Sequence, residues 1–500
     1  MIKRILLIDI DNDLSQYTES QLYSQWSHHP IGLMYIASAV RQSFPDITVR
    51  IFHTITTNNP LQHIESLLAE FNPDLVGLRS LSIAQNHFKK IASRIRQLKP
   101  DIPLLGGGPY PSASSEDVIS SGAVDVAIIG EGEQTCIELV DWFRTNNCIP
   151  RNISGTAVMD NGVVRINEPR PPIENLDILP FPAYDLISLN DYAGMSNCAF
   201  QDTAKSAFIC PTRGCPIQCV YCHQFFGKRV RRRSAENIVA EMKQHVEKRG
   251  IKNFVFVDDI FNFPMKKAKE LLSLIIRELP GLHLNFPNGL RADQVDDELI
   301  DLLEEAGTVH MALAVETASP RLQKLIGKHL NLEKAKKSIA AASMRFIVRG
   351  YFMIGFPTET FEEAMETIRF AEDLDYVSEP VLSVLRVFSK TKLFAMLEPN
   401  EEQARALVEQ EQKMLQPKLT WDIGFYGDLF PAEKVSLRSR DIQALQWEWA
   451  RRIFNNPKRI INSHKILEKY LSQNEILDYY KNLYNNPKFN EKSLQRLLTT

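Results

Sequence analysis

Apolar positions along the chain fall into two alternating patterns. Short unbroken runs are separated by longer stretches in which apolar residues return every three or four positions. That alternation predicts β–α units around a mostly parallel sheet. In the first part of the chain the predicted strands are RILLID (4–9), TVRIF (48–52), DLVGLRS (74–80), IPLLGGG (102–108) and VDVAIIGEGE (124–133). Helical spacing lies between them, as in residues 30–44, where Leu33, Ile36, Ala37 and Val40 share one face. A second series starts near Lys205 with SAFIC (206–210), NFVFVDD (253–259), LHLNFPNGL (282–290), HMALAVETAS (310–319) and IVRGYFMIGFPTET (347–360). Its first helix is delimited by residue type. Ser234 caps it, Glu236 favours its first turn, Ile238, Val239, Met242 and Val246 form the apolar stripe, and Gly250 ends it. Proline and polar residues accumulate over 165–187, which reads as a linker, and the pattern beyond Leu397 is helical and rich in charge.

The expected organisation is therefore α/β throughout most of the chain. It comprises a Rossmann-like doubly wound domain over 1–150, a linker over 151–200, a partial (β/α)6 barrel over 201–396 and a helical C-terminal region over 397–500. In a doubly wound sheet, ligands bind at the carboxyl ends of the strands. Gly106, Gly107, Gly108 and Pro109 sit at one such end, and Gly130, Glu131 and Gly132 at another. Residues without side chains there let a large ligand approach the backbone; tight turns without a ligand are the alternative.

Composition narrows the class. The first apolar run is broken by Asp9, so it reads as a buried strand and not a signal peptide, and no stretch reaches the roughly 18 apolar residues of a membrane helix. A cytoplasmic protein without a membrane partner is expected. A net charge of -3 gives no general attraction to nucleic acid. The run Lys228, Arg229, Arg231, Arg232, Arg233 reads as a solvated basic face in preference to a phosphate site.

Four of the seven cysteines fall within residues 210–222. Cys215, Cys219 and Cys222 form C-x3-C-x2-C, and Cys210 lies upstream. Thiolates favour zinc or iron–sulfur clusters. All four cysteines together would make a compact zinc site or a four-cysteine electron-transfer cluster. With Cys210 ending its strand as a small buried hydrophobe, three ligands remain. Three ligands on a four-iron cluster leave one iron open, and an open iron is a place for substrate. His223, next to a cluster cysteine, reads as bonding sulfur or backbone and not as a ligand.

The C-x3-C-x2-C loop with Tyr221 before its third cysteine, placed after the first strand of a β–α barrel, resembles the radical S-adenosylmethionine (SAM) superfamily. PIGLMYIASAV (30–40), LLGGGPYP (104–111) and VDVAIIGEGE are similar to the cobalamin-binding domain of its cobalamin-dependent branch. VDDIFN (257–262), NGLRAD (288–293), VETASPRLQKLIGK (315–328) and GYFMIGFPTET (350–360) are similar to successive barrel signatures of that branch. The Asp-x-His-x-x-Gly segment whose histidine ligates cobalt in many cobalamin domains is not found. That is compatible with cobalamin held without a histidine ligand, or with a domain that no longer binds it.

The resemblance implies a 4Fe-4S cluster on Cys215, Cys219 and Cys222, with SAM chelated to the fourth iron and cleaved reductively to a deoxyadenosyl radical. It implies Asp258 or Asp259 as acceptor for the SAM ammonium, with helix capping as the alternative. Glu316 would accept from the SAM ribose hydroxyls, or else pair with Arg291. Ile354, Gly355 and Pro357 would wall the adenine through their backbone, and Tyr221 would pack near it or in the core. Cobalamin would lie beside Gly106–Pro109 and Gly130–Gly132. No Ser, Cys or His nucleophile set is recognisable, and no catalytic residue is assigned. The implied activity is methylation of an unactivated carbon or phosphorus of a small molecule, with an external low-potential donor such as flavodoxin or ferredoxin. Radical rearrangement, oxidation or cyclisation is the alternative within enzymes. A cluster and corrinoid protein without turnover is the alternative outside them.

Overall fold

A computed structural model describes residues 2–11, 27–199, 201–223, 225–413, 424–453, 456–484 and 488–499. The chain forms two compact units, one built mainly from 28–193 with the N-terminal strand, the other mainly from 194–411 and 418–500.

In the first unit, five parallel strands run in the order 2-1-3-4-5: β1 (Arg4–Ile10), β2 (Thr48–His53), β3 (Leu75–Ser80), β4 (Leu104–Gly107) and β5 (Val126–Ile128). The period of two along β1 divides its side chains. Leu6, Ile8 and Ile10 join one core with Phe88, Ile91 and Ile95 of the helix Gln85–Leu98, while Ile5 and Leu7 join another with Leu33, Ala37 and Val40 of the helix Ile31–Ser43. Both faces are thus covered, as a doubly wound sheet requires. Within the stretch expected as a linker, β6 (Thr156–Asp160) and β7 (Val163–Ile166) form an antiparallel hairpin that extends this sheet beyond β5.

In the second unit, β8 (Ser206–Ile209), β11 (Asn253–Phe256), β12 (His283–Leu290), β13 (Thr308–Glu316), β14 (Ile347–Ile354) and β15 (Glu379–Val384) lie side by side in chain order, every pair parallel. Five of these strands coincide with the runs read from the sequence; β15 is the sixth strand that the expected (β/α)6 series requires and to which no run was assigned. Between β8 and β11, two short strands, β9 (Thr212–Arg213) and β10 (Arg231–Arg232), pair antiparallel. The helix after them spans Ala235–Arg249; the Ser234 hydroxyl accepts from the Asn237 amide at 3.2 Å, and Gly250 closes it with φ 64°. The described residues beyond 400 are mainly helical, and Ile466, Leu467, Ile476 and Tyr479 pack with Ile347 of β14. Among the described residues no helix is long and apolar enough to cross a membrane.

Candidate active site

The carboxyl ends of five of the six barrel strands deliver the residues singled out in the sequence, as the topology requires. Cys210 follows β8, Asp258 and Asp259 follow β11, Arg291 follows β12, Glu316 ends β13, and Ile354 ends β14 ahead of Gly355 and Pro357.

The ribbon of β9 and β10 closes the cysteine loop at its base. The Gly214 amide donates to Asp259 Oδ2 at 2.8 Å, and the Cys215 amide to the Gly227 carbonyl at 3.1 Å. Gly214 has φ 93°, and a Cβ there would come within 2.3 Å of the Arg229 carbonyl oxygen, so only glycine fits. Two further segments brace the loop through backbone bonds at Val220, whose amide donates to Ile326 and whose carbonyl accepts from Leu393 at 2.8 Å.

Within this frame Cys210 stands apart. Its Sγ is directed to the Thr212 carbonyl at 3.4 Å, and burial pushes its thiol up to about 12. Cys215, Cys219 and Cys222 are likewise raised by burial, Cys222 to about 11; the charge of Cys219 adds to the rise at Cys215, and the charges of Cys219 and Cys215 to that at Cys222, whereas no other cysteine is among the causes at Cys210. Thiolates on a single zinc lie about 2.3 Å from it, hence within about 4 Å of one another. Among the described residues no three cysteine sulfurs gather within 4.8 Å. Three thiols on one loop at a strand end are a donor set that suits a 4Fe-4S cluster with one iron left open.

Around the thiols lie groups that the sequence left unmarked. Lys328 Nζ sits 3.0 Å from Glu316 Oε1, and its charge favours the thiolates of Cys215 and Cys219 against their burial. Tyr221 is pushed well above its ordinary value by burial and by the nearby charges of Glu316 and Cys219, and its ring lies 6.1 Å from that of Phe356. Glu316 is held at φ 70°, a left-handed backbone for a carboxylate residue at a strand end. Its cation is Lys328 and not Arg291, which pairs with Asp293 at 2.8 Å and donates to the carbonyls of Lys328 and His329. No periodicity marks Lys328; only its place one residue after Gly327, whose missing side chain lets it pass Gln218, was available as a signal.

The two aspartates divide their work. Asp258 is buried, its carboxyl pushed up to about 6 by that burial, and accepts from the Thr212 hydroxyl at 3.0 Å. Asp259 is exposed and ties down the cysteine loop. Neither caps a helix, since the next one starts at Met265 with Pro264 as its cap. At the end of β14 the backbone is largely engaged internally: the Gly355 amide donates to Glu359, its carbonyl accepts from the Tyr426 hydroxyl at 2.7 Å, and the Ile354 carbonyl accepts from Leu385. Glu359, a further unmarked residue, is buried and raised to about 8. His223 bonds the Ser389 carbonyl at 2.9 Å.

The basic run departs from its expectation. Lys228 and Arg229 are exposed, but Arg231 and Arg233 are buried and Arg232 is half-buried. Arg233 is sealed against Glu241, and Arg232 donates to the Phe261 carbonyl. Arg231 donates to the Phe226 carbonyl, so these arginines tie the end of the cysteine loop to itself, to the following helix and to the segment after β11, and are not a solvated face.

In the first unit the glycines at the sheet's carboxyl edge separate by cause. A Cβ on Gly106 would crowd Phe88 and Val124 at 3.2–3.3 Å, and one on Gly108, at φ 87°, would meet Arg79 at 2.8 Å. A Cβ on Gly132 would press Ile36 at 3.0 Å, and Gly130 needs its φ of 83°. Gly107 has neither reason: its φ lies outside the left-handed region and the nearest atom to a Cβ is 3.8 Å away. The packing of the fold does not demand a bare backbone there. Beside it lies a polar cluster in which Arg79 pairs with Asp9 at 2.9 Å, and His53 joins Asp11 at 2.8 Å and Tyr192 at 3.0 Å. Donor atoms of Asp9, His28 and His53 lie within 4.8 Å of one another. The Arg79 guanidinium on Asp9 and the occupied nitrogens of His53 disfavour a cation there.

Comparison with known proteins agrees with both halves. Residues 24–140 match the B12 binding domain, and 209–371 match the Radical SAM superfamily. An uncharacterized methyltransferase of Pyrococcus horikoshii is 31% identical over 350 residues, 69% of this chain and 73% of that protein. The chain belongs to the cobalamin-dependent radical SAM enzymes. Its cofactors are accordingly a 4Fe-4S cluster, SAM and cobalamin. Cytidylyl-2-hydroxyethylphosphonate methyltransferase of Streptomyces wedmorensis is 28% identical, across 63% of this chain and 65% of that protein. The radical SAM methyltransferase TsrM of Kitasatospora setae, solved with tryptophan and a SAM analog, shares the fold of this radical SAM enzyme with a TM-score of 0.65 and 19% identity, over 79% of this chain and 76% of that one.

Proposed function

We propose that this chain methylates an unactivated carbon or phosphorus centre of a small molecule and consumes two SAM per turnover, one as methyl donor and one as radical source. The observation that carries the reading is the pairing, in one chain, of a bare Gly107 at a corrinoid-binding sheet edge with a three-thiol loop at the carboxyl end of a barrel. Both curated relatives described above bear methyltransferase names.

When bound, the reduced cluster supplies the electron that splits SAM, and the corrinoid carries the methyl group. The chain's own residues hold and shield. Cys215, Cys219 and Cys222 would hold three irons, Asp259 fixes the loop at Gly214, and Lys328 lends positive charge to the thiolates while pairing Glu316. Glu316 and Tyr221, close enough for their charges to interact, offer oxygens where the ribose of SAM is expected. The free oxygen of Asp259 faces solvent and can take the SAM ammonium. Gly107 and its neighbours leave room for the corrin ring. Electrons would come from an external low-potential flavodoxin or ferredoxin. The cytoplasm, which keeps thiols reduced, is the fitting compartment.

The test uses the anaerobically reconstituted full chain, a small-molecule extract of its native cells and SAM with a deuterated methyl group. S-adenosylhomocysteine and deoxyadenosine should rise in equal amounts, with the label in a new methylated product. Deoxyadenosine without S-adenosylhomocysteine would overturn methyl transfer in favour of radical rearrangement or oxidation.

A further inference from the structure

At the carboxyl ends of the barrel strands most cations have a hydrogen-bonding partner. Lys328 is paired with Glu316 and Arg291 with Asp293, while Arg232, without an ion pair, has the buried Asp258 nearby and donates to a carbonyl. Arg386 is different. It lies two residues beyond the end of β15, half-buried, with no hydrogen bond or ion pair among the described residues. Burial alone acts on its guanidinium, with no carboxylate opposing it.

Its place is fixed from both sides. Val384 is in register with Ile354, and the Leu385 amide donates to the Ile354 carbonyl at 2.8 Å, which sets Arg386 beside the end of β14. Just downstream, the Phe388 ring lies 5.8 Å from that of His223, and Ser389 accepts from His223 at 2.9 Å. Arg386 therefore sits on the segment that joins the expected adenine wall to the loop of Cys222. A guanidinium keeps its charge at any physiological pH, and leaving it desolvated and unpaired is costly. Its planar fork matches the two oxygens of an oxyanion.

We propose that Arg386 is the receptor for an oxyanion group of the substrate, a carboxylate, phosphate or phosphonate seated at the barrel mouth. This rests on the enzymatic reading above and narrows its substrate class to anionic molecules. SAM also carries a carboxylate, so the same chemistry has a second source, which the experiment must separate.

The experiment titrates the reconstituted full chain, its cluster reduced by dithionite, with methylphosphonate and with acetate, and follows phosphorus and proton relaxation. The paramagnetic cluster broadens the signals of an anion held near it. Wild type should broaden at least one probe, Arg386→Gln should weaken that binding by about tenfold or more, and Arg386→Lys should weaken it less, because a point charge replaces a fork. SAM affinity should stay within about twofold in both variants, since the receptor serves another molecule. No broadening by wild type, or equal broadening by Arg386→Gln, overturns the proposal. So does a tenfold loss of SAM affinity with SAM displacing the probe, which assigns the guanidinium to the SAM carboxylate. Iron content verifies that each variant is folded, and Arg386→Lys carries the comparison if Arg386→Gln fails to assemble. No turnover is needed, so failure here leaves the methyl-transfer test standing on its own.

Discussion

At the residue scale, what separates Cys210 from its three neighbours is environment and not chemistry. All four thiols are raised by burial, but among them the charge of Cys219 is felt only at Cys215 and Cys222, while Cys210 is turned to the Thr212 carbonyl. Anaerobic reconstitution should give about four irons per chain, and alanine at 215, 219 or 222 should reduce that to a trace, because an iron without its thiolate leaves the cluster. Cys210→Ala should keep its iron. Iron and sulfide analysis with the spectrum of the reduced cluster checks this, and a Cys210→Ala protein devoid of iron would make the site a four-cysteine one. The spacing C-x3-C-x2-C was legible in the sequence because thiolate clustering is local. Lys328 and Glu359 were not, since each acquires its role from groups brought to it by the fold: Glu316 on another strand for the first, the amides of a turning strand end for the second.

At the element scale, the sheet edge of the first unit makes its own prediction. Because nothing packs closer than 3.8 Å to a Cβ on Gly107, Gly107→Ala should fold normally. Gly107→Phe fills the space over the carboxyl edge and should abolish cobalamin uptake while thermal unfolding of the protein stays close to wild type. Gly106→Phe is the contrast, since its side chain would collide with Phe88 and Val124 and lower stability by about 1–3 kcal/mol or more. Cobalamin retained per chain after gel filtration decides it, and a Gly107→Phe protein that binds as wild type does would place the corrinoid elsewhere. The parallel strands themselves were legible from the period and length of their apolar runs. The ribbon of Thr212–Arg213 with Arg231–Arg232 was not, because two-residue strands have no period. Five cations within six residues read as solvated when in fact a buried carboxylate, Glu241, lay waiting on the following helix for Arg233.

At the scale of the whole molecule, the C-terminal helices are tied to the barrel by a buried charge network at the amino ends of its strands. Arg349 of β14 and Glu379 of β15 are register partners, with Nε–Oε2 2.7 Å apart. Tyr479, on the helix Gln473–Leu483, donates to the other oxygen of Glu379 at 2.7 Å, and His310 of β13 lies 3.3 Å away. Burial would raise the Glu379 carboxyl, but Arg349 and His310 outweigh it and hold it at about 2. Arg349→Met leaves that carboxylate buried without its cation and should cost about 3–5 kcal/mol. Tyr479→Phe removes one hydrogen bond to a charged acceptor and should cost about 1–3 kcal/mol. The pH dependence follows in sign from the depressed folded value. The Glu379 contribution is complete above the unfolded carboxyl value of about 4.3 and is lost as pH falls toward about 2. Hydrogen exchange of peptides from 473–483 reads the loss locally, without assuming that the two units unfold together. Protection there should drop in both variants at pH 7, and in wild type it should drop as pH falls from about 4 toward 2, by a smaller margin in Arg349→Met, whose carboxyl no longer holds its low value. Unchanged protection in Arg349→Met would mean that apolar packing of Ile466, Ile476 and Tyr479 on Ile347 holds these helices alone.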